Sequence, residues 1–152
     1  MLVQVLGIKA VKIPSQYIYA LSMNSEHGDF ILPAFDAKKG RVFGALYKNN
    51  NSKIEIVVSP GDYLINYLLS KIPVGAKVIC SGDGCEKFRS AIVENIVNPV
   101  ILEKYLPSGI NSLKYISDMI ETGGLDIIDY NKILPDYTRK SDAEIAMEAG
   151  KI

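Results

Sequence analysis

DFILPAFDAKKGRVFGALYKNNNSKIEIVV, residues 29–58, decides how the rest of the chain is read. It holds three strand-like runs, residues 29–35, 41–47 and 53–58, rich in apolar, β-branched and aromatic side chains. Asp36 to Gly40 forms a tight polar turn between the first two, and Asn49-Asn50-Asn51-Ser52 a turn before the third. Connections this short join antiparallel neighbours, so the stretch predicts a three-stranded meander.

Downstream the apolar period changes. Ser59 reads as a helix cap, with Pro60 at the first position and Asp62 near the positive helix end. Leu64, Ile65, Leu68, Leu69 and Ile72 then fall on one helical face. Residues 76–80 read as a buried strand with Gly82-Asp83-Gly84 as its exit turn, followed by a helix through Phe88, Ala91 and Ile92. Residues 100–102 form the core of another strand. After Pro107 a longer helix is expected to carry Leu113, Ile116 and Ile120 inward and to end at Gly123-Gly124. Strand–helix–strand units need a right-handed crossover, which makes the later strands parallel. Three antiparallel strands followed by αβαβα is the order of an RNase H-like lobe, as also found in actin-like ATPases: an α/β fold on a mixed sheet.

Upstream, residues 1–6 read as a last helical turn stopped at Gly7, and residues 10–13 as a short strand. Pro14 and Ser15 open a helix with Tyr17, Ile18 and Leu21 on one face. The chain therefore divides into residues 1–28, the remnant of a preceding lobe; residues 29–124, the RNase H-like lobe; and residues 125–152. In the last part, residues 133–139 read as extended, and Ser141 with Glu144 as a capping box for a short helix.

The bulk numbers agree with an ordinary globular domain: 152 residues suffice for a core, and 48% hydrophobic against 22% charged residues argues against disorder. Lys plus Arg and Asp plus Glu are both 17, so no bulk positive charge favours nucleic acid. Cys80 and Cys85 do not form a CxxC pair, and with one histidine they make no zinc set; they read as reduced thiols in a reducing cytoplasm. No window reaches the roughly 20 apolar residues of a membrane span. The start lacks the basic region of a signal peptide.

Two segments are candidates for chemistry. The hairpin from Asp36 to Arg41 reads first as a turn, with Gly40 supplying an unusual backbone angle. It also presents Lys38, Lys39 and Arg41 as a basic tip that would contact phosphate or an acidic partner. Gly82, Asp83 and Gly84 stand where open α/β sheets bind ligands, and read equally as a tight strand–helix turn with Asp83 as cap. Asp36 and Asp83 together raise a metal-dependent nuclease or hydrolase reading. That chemistry needs a further acid, and Asp62 is not on the inward face of its helix in this reading. His27, the lone histidine, precedes Gly28 in a loop with no local nucleophile, so a triad is poorly supported. The nine tyrosines are scattered and read as core-edge and interface residues, not as a base-stacking platform.

These segments also resemble a family. Phe35-Asp36-Ala37-Lys38-Lys39-Gly40-Arg41-Val42-Phe43 with Ala45-Leu46-Tyr47, the Ser81-Gly82-Asp83-Gly84 turn, and the stretch from Ile133 through Leu134-Pro135-Asp136-Tyr137-Thr138-Arg139-Lys140-Ser141 to Glu144 are similar, in order, to motifs of the TsaB (YeaZ) family. Gly7 to Ile13 with Ser15 to Leu21 resembles the end of that family's first lobe. Arg41 stands where an acidic residue is usual, and Thr138 where Leu is usual. The resemblance implies an actin-like fold and a cytoplasmic, non-catalytic accessory subunit without cofactor. Its implied partners are TsaD and TsaE, with a homo-dimer as a further expectation and tRNA engaged only indirectly. In that pathway TsaD transfers a threonylcarbamoyl group to the adenosine beside the anticodon. Older usage calls the family glycoprotease-like, but this sequence offers no protease site. A full-length member begins with another lobe, which carries an Asp-Thr-Ser strand and the contact surface for TsaD. The chain is therefore read as a fragment, a split gene product or a short form that keeps the second lobe, and either as a working partner or as a relic that no longer docks. Exposed apolar surface on residues 1–21 is the expected consequence.

Overall fold

The meander of residues 29–58 supplies three strands of a five-stranded sheet in the computed structural model, which describes residues 2–51, 53–124, 127–128 and 147. β2 (Phe30–Asp36) pairs antiparallel with β3 (Val42–Asn50), which pairs antiparallel with β4 (Lys53–Tyr63). On its other side β2 pairs parallel with β5 (Lys77–Ser81), and β5 with β6 (Asn98–Leu102). The spatial order is β4-β3-β2-β5-β6, with β2 in the centre. Residues 30–34 are all buried, which explains their unbroken apolar run: helices cover both faces of the strand.

Alternation sorts the side chains. Phe30, Leu32 and Ala34 face a core shared with Val42, Leu46, Val78 and Cys80, covered by α3 (Ile65–Leu69), α4 (Asp83–Lys87) and α5 (Arg89–Asn95). Ile31, Ala45, Tyr47 and Ile79 face the other way, against Ala20 and Met23 at the end of α2 (Ser15–Ser22). Thus α2, from the first 28 residues, packs on this sheet. Outside it, α6 (Gly109–Glu121) joins α2 through the Tyr17–Tyr115 ring contact at 4.6 Å and the Asn111 amide, which donates to the Leu21 carbonyl at 3.2 Å. Ser108 caps α6 by accepting from the Ile110 N–H.

Several expectations are corrected. Ser59 does not open a helix: β4 continues to Tyr63, and α3 begins at Ile65 with no side-chain cap. Gly44 opposes Gly61 while Leu46 opposes Val58, so Ser59 and Pro60 lie in a bulge facing Ala45. β4 is an edge strand, and a proline without N–H fits an edge bulge. Ile65, Leu68, Leu69 and Ile72 are buried as expected, but Leu64 precedes the helix and is exposed. The helix through Phe88 is two helices, α4 and α5, broken at Phe88. On α2 the buried residues are Gln16 and Ala20, with Tyr17, Ile18 and Leu21 only half covered. On α6, Leu113 and Ile120 are exposed and Ile116 half-buried, because the helix lies on α2 and not on the sheet.

The short terminal pieces meet each other. α1 (Leu2–Leu6) stops at Gly7, which has φ of 61°. β1 (Ala10–Val11) then pairs antiparallel with β7 (Ile127–Ile128). Val5, Leu6 and Ile8 are exposed apolar residues in this region. The extended run 133–139 and the Ser141–Glu144 capping box lie outside the described residues. Among the described residues, no helix is long and apolar enough to cross a membrane.

Candidate functional site

The parallel register of β2 and β5 ends at Pro33 opposite Ser81, so residues 34–36 run on beside residues 82–84. The two candidate segments therefore meet at one end of the sheet. Gly82 has φ of 96°, and a Cβ there would lie 2.3 Å from the Ala34 carbonyl oxygen. A Cβ on Gly84 would lie 2.8 Å from the same oxygen. Both glycines serve the close approach of α4 to the end of β2. The cap is Gly82 and not Asp83; Asp83 is the first residue of α4, and its carboxylate accepts from the Asp36 N–H at 2.9 Å.

Asp36 in turn organises the hairpin. Its Oδ1 accepts from Lys87 Nζ and from the Lys38 N–H, each at 2.9 Å, and its Oδ2 faces Lys38 Nζ at 3.0 Å. Lys87, then Lys38, holds the Asp36 carboxyl at a pKa of about 2. The turn is tight: Lys38, Lys39 and Gly40 all adopt the left-handed region, with φ of 63°, 49° and 76°. Arg41 leaves it sideways, its Nε donating to Asp62 Oδ1 and its Nη2 to the Asp62 carbonyl, both at 2.8 Å. Of the proposed basic tip, Lys38 pairs with Asp36 and Arg41 with Asp62, and Lys38 and Lys39 are both exposed at the apex of the turn.

Beside the hairpin lies a cleft of about 500 Å³, with Gly82 and Asp83 in its lining. Tyr19, Phe35 and Tyr105 give it aromatic walls, the Tyr19 and Phe35 rings meeting edge to face at 4.9 Å. The Tyr105 hydroxyl donates to the Ser22 carbonyl, which fixes that wall to α2. Glu86 and Lys104 also line the cleft, the Lys104 N–H donating to Glu86 Oε1 at 2.8 Å. Such a surface, aromatic with a few fixed polar groups, suits binding.

Two of the acids weighed for metal chemistry are already engaged by cations of the fold: the Asp36 carboxylate by two ammonium groups and Asp62 by Arg41. Among the described residues, no group of three or more His, Cys, Asp and Glu side chains is placed to hold a metal. His27 precedes the opposite end of β2, exposed, in the lining of a polar cavity of about 410 Å³ with Ser25, Asn49 and Lys114. Cys80 and Cys85 are both buried free thiols. Contact with Cys80 and burial push the Cys85 thiol well above its ordinary pKa, and Cys85 Sγ donates to the Leu32 carbonyl at 3.4 Å. Sequence reasoning missed Lys87 and the aromatic walls. The signal for Lys87 was its place one helical turn after Asp83.

The strand order and directions, with helices on both faces, are those of the RNase H-like class of α/β fold. Within that class the fold is similar to that of YeaZ structures. It superposes on YeaZ from Pseudomonas aeruginosa with a TM-score of 0.69 and 16% identity, covering 90% of this chain and 62% of that one. It also matches a crystal structure described as an uncharacterized protein with similarity to peptidase YEAZ from Pseudomonas aeruginosa. There the TM-score is 0.66 and the identity 17%, over 91% of this chain and 62% of that one. The chain thus spans less than two thirds of the length of both structures. No family model and no curated protein sequence matches it.

Proposed function

We propose that the chain is a non-catalytic partner subunit of the YeaZ (TsaB) kind, supporting TsaD in threonylcarbamoyl transfer to the adenosine beside the anticodon of tRNA. The observation that carries this reading is the YeaZ-like fold over nine tenths of the chain. The hairpin from Asp36 to Arg41 and the Gly82-Asp83-Gly84 turn support it further, because the motifs that resemble the TsaB family form one braced unit. In this reading the exposed hairpin apex at Lys38 and Lys39 and the aromatic cleft beside Gly82 offer additional contact surface on the second lobe, beside what residues 1–28 keep of the first lobe's surface. The peptidase in one neighbour's description is not carried over: His27 and the two buried thiols lie at separate places in the fold.

Co-expression of the untagged chain with tagged TsaD of the same organism tests the reading. Retention of the chain on the TsaD column through high-salt washing is the expected result. Complete absence from the eluate, with both proteins folded, contradicts it.

A further inference from the structure

The cleft beside Gly82 joins aromatic walls to negative charge. Tyr19 stands between the other two rings: it meets Phe35 at 4.9 Å and 78°, and Tyr105 at 6.2 Å and 61°. All three residues are half-buried in the cleft lining, so part of each remains open. Phe35 is held by β2, and Tyr105 by its hydroxyl bond to the Ser22 carbonyl. Aromatic faces carry the negative part of the ring quadrupole and attract cations. Asp83 and Glu86 line the same cleft and, three residues apart on α4, share one side of that helix. Each accepts from a backbone N–H, Asp83 from Asp36 at 2.9 Å and Glu86 from Lys104 at 2.8 Å. Such a bond positions a carboxylate without cancelling its charge. Among the described residues, neither acid forms an ion pair. Lys104 is the cation of the lining, whereas Lys38 and Lys87 are bound to Asp36 outside it. Two carboxylates thus face one ammonium beside three partly open rings.

We propose that this cleft receives an arginine side chain of a protein partner. The guanidinium stacks on the aromatic walls and donates to the carboxylates of Asp83 and Glu86, and its alkyl stem lies against Leu106, which is 80% exposed. A planar cation with a fork of donors uses both features at once. A lysine ammonium is a more strongly hydrated point charge and stacks less well. An anionic ligand would meet two like charges, and a purely apolar one would cover both carboxylates without pairing them. The inference rests on the partner-subunit reading for the existence of a partner, and adds the group by which the partner is held.

The test is a titration of the full chain with N-acetyl-arginine amide and with its lysine and citrulline counterparts, read from the ring signals of Tyr19, Phe35 and Tyr105 by NMR. The arginine compound is expected to shift all three rings saturably, with a dissociation constant on the order of millimolar, as suits a single side chain. The lysine compound should bind several-fold more weakly. Citrulline, which keeps the shape and loses the charge, should bind about tenfold more weakly. Glu86→Gln keeps an acceptor for the Lys104 N–H and is expected to weaken arginine binding about two- to fivefold, while Lys104→Met tightens it. Three results would overturn the proposal. One is the absence of a saturable ring shift with the arginine compound. The second is an equal response to citrulline, which would mean that the cleft reads shape and not charge. The third is an affinity unchanged in both variants. Failure of arginine to bind leaves retention on TsaD standing as a separate test. Loss of that retention with arginine binding intact contradicts the partner-subunit reading alone.

Discussion

The Asp36 N–H donates to the Asp83 carboxylate at 2.9 Å across 47 residues of sequence. This bond joins the tip of the β2–β3 hairpin to the helix that follows β5. Lys87, one turn further along α4, closes the same unit from the other side by its ion pair with Asp36. The hairpin is therefore held by the parallel half of the sheet as well as by its own turn.

The close approach behind that bond depends on two glycines. Gly82→Ala adds a Cβ 2.3 Å from the Ala34 carbonyl oxygen at a φ of 96° and is expected to cost about 2–4 kcal/mol. Gly84→Ala lacks the φ penalty and is expected to cost about 1–3 kcal/mol. Urea unfolding should rank Gly82→Ala as the more damaging; equal stability of all three proteins would show that α4 does not press on β2.

Asp36 gives a pH signature. Its folded-state pKa is drawn down to about 2 from an ordinary 3.8. The stabilisation it supplies is thus fully present above the ordinary value and is lost as pH falls through about 2. Carboxyl NMR titration should show Asp36 ionised throughout mild acid. Lys87→Met removes the larger cause and should move the Asp36 midpoint upward; an unchanged midpoint would place Lys87 away from the carboxylate in solution.

Much of this was legible in the sequence, and the gaps have physical causes. The three-stranded meander showed itself because short polar turns separate apolar runs of strand length. Asp36 and Asp83 were each visible as turn residues, but their contact follows from the parallel register of β2 and β5, which no local pattern encodes. Ser59-Pro60-Gly61-Asp62 carries helix-start chemistry, yet its place on an edge strand opposite Ala45 turns it into a bulge. The apolar stripe of α6 was real, but periodicity does not say what covers a face, and Leu113 and Ile120 face solvent. Gln16 escaped notice because a glutamine on a surface helix ordinarily points to water, whereas here it is buried.

The hairpin turn stores backbone strain at Lys39, whose φ is 49°. Lys39→Gly removes the Cβ penalty of the left-handed region, partly offset by greater freedom in the unfolded chain. A net gain of about 0.5–1 kcal/mol in urea unfolding is expected. The same substitution should weaken retention on TsaD if the apex contacts the partner. A loss of stability would show that the lysine side chain holds the turn.

Tyr47 is wholly buried, and its hydroxyl has no hydrogen-bond partner among the described residues. Tyr47→Phe should therefore be neutral or stabilising by up to about 1 kcal/mol. Burial first, then Tyr17 and Tyr115, holds the Tyr47 pKa well above its ordinary 10.0. The unfolded chain then ionises before the folded one, and stability falls as pH rises past about 10. Tyr47→Phe should reduce that alkaline loss; an identical alkaline profile in the variant would assign the loss to other groups.

The partner-subunit reading is tested most directly by reconstitution. Purified TsaD and TsaE of the same organism, the threonylcarbamoyl-adenylate donor and unmodified tRNA are incubated with and without this chain, and the modified adenosine is measured by mass spectrometry. The reading predicts modification that depends on the chain, with none formed by the chain and donor alone. Full modification without the chain, or transfer by the chain in the absence of TsaD, would contradict it.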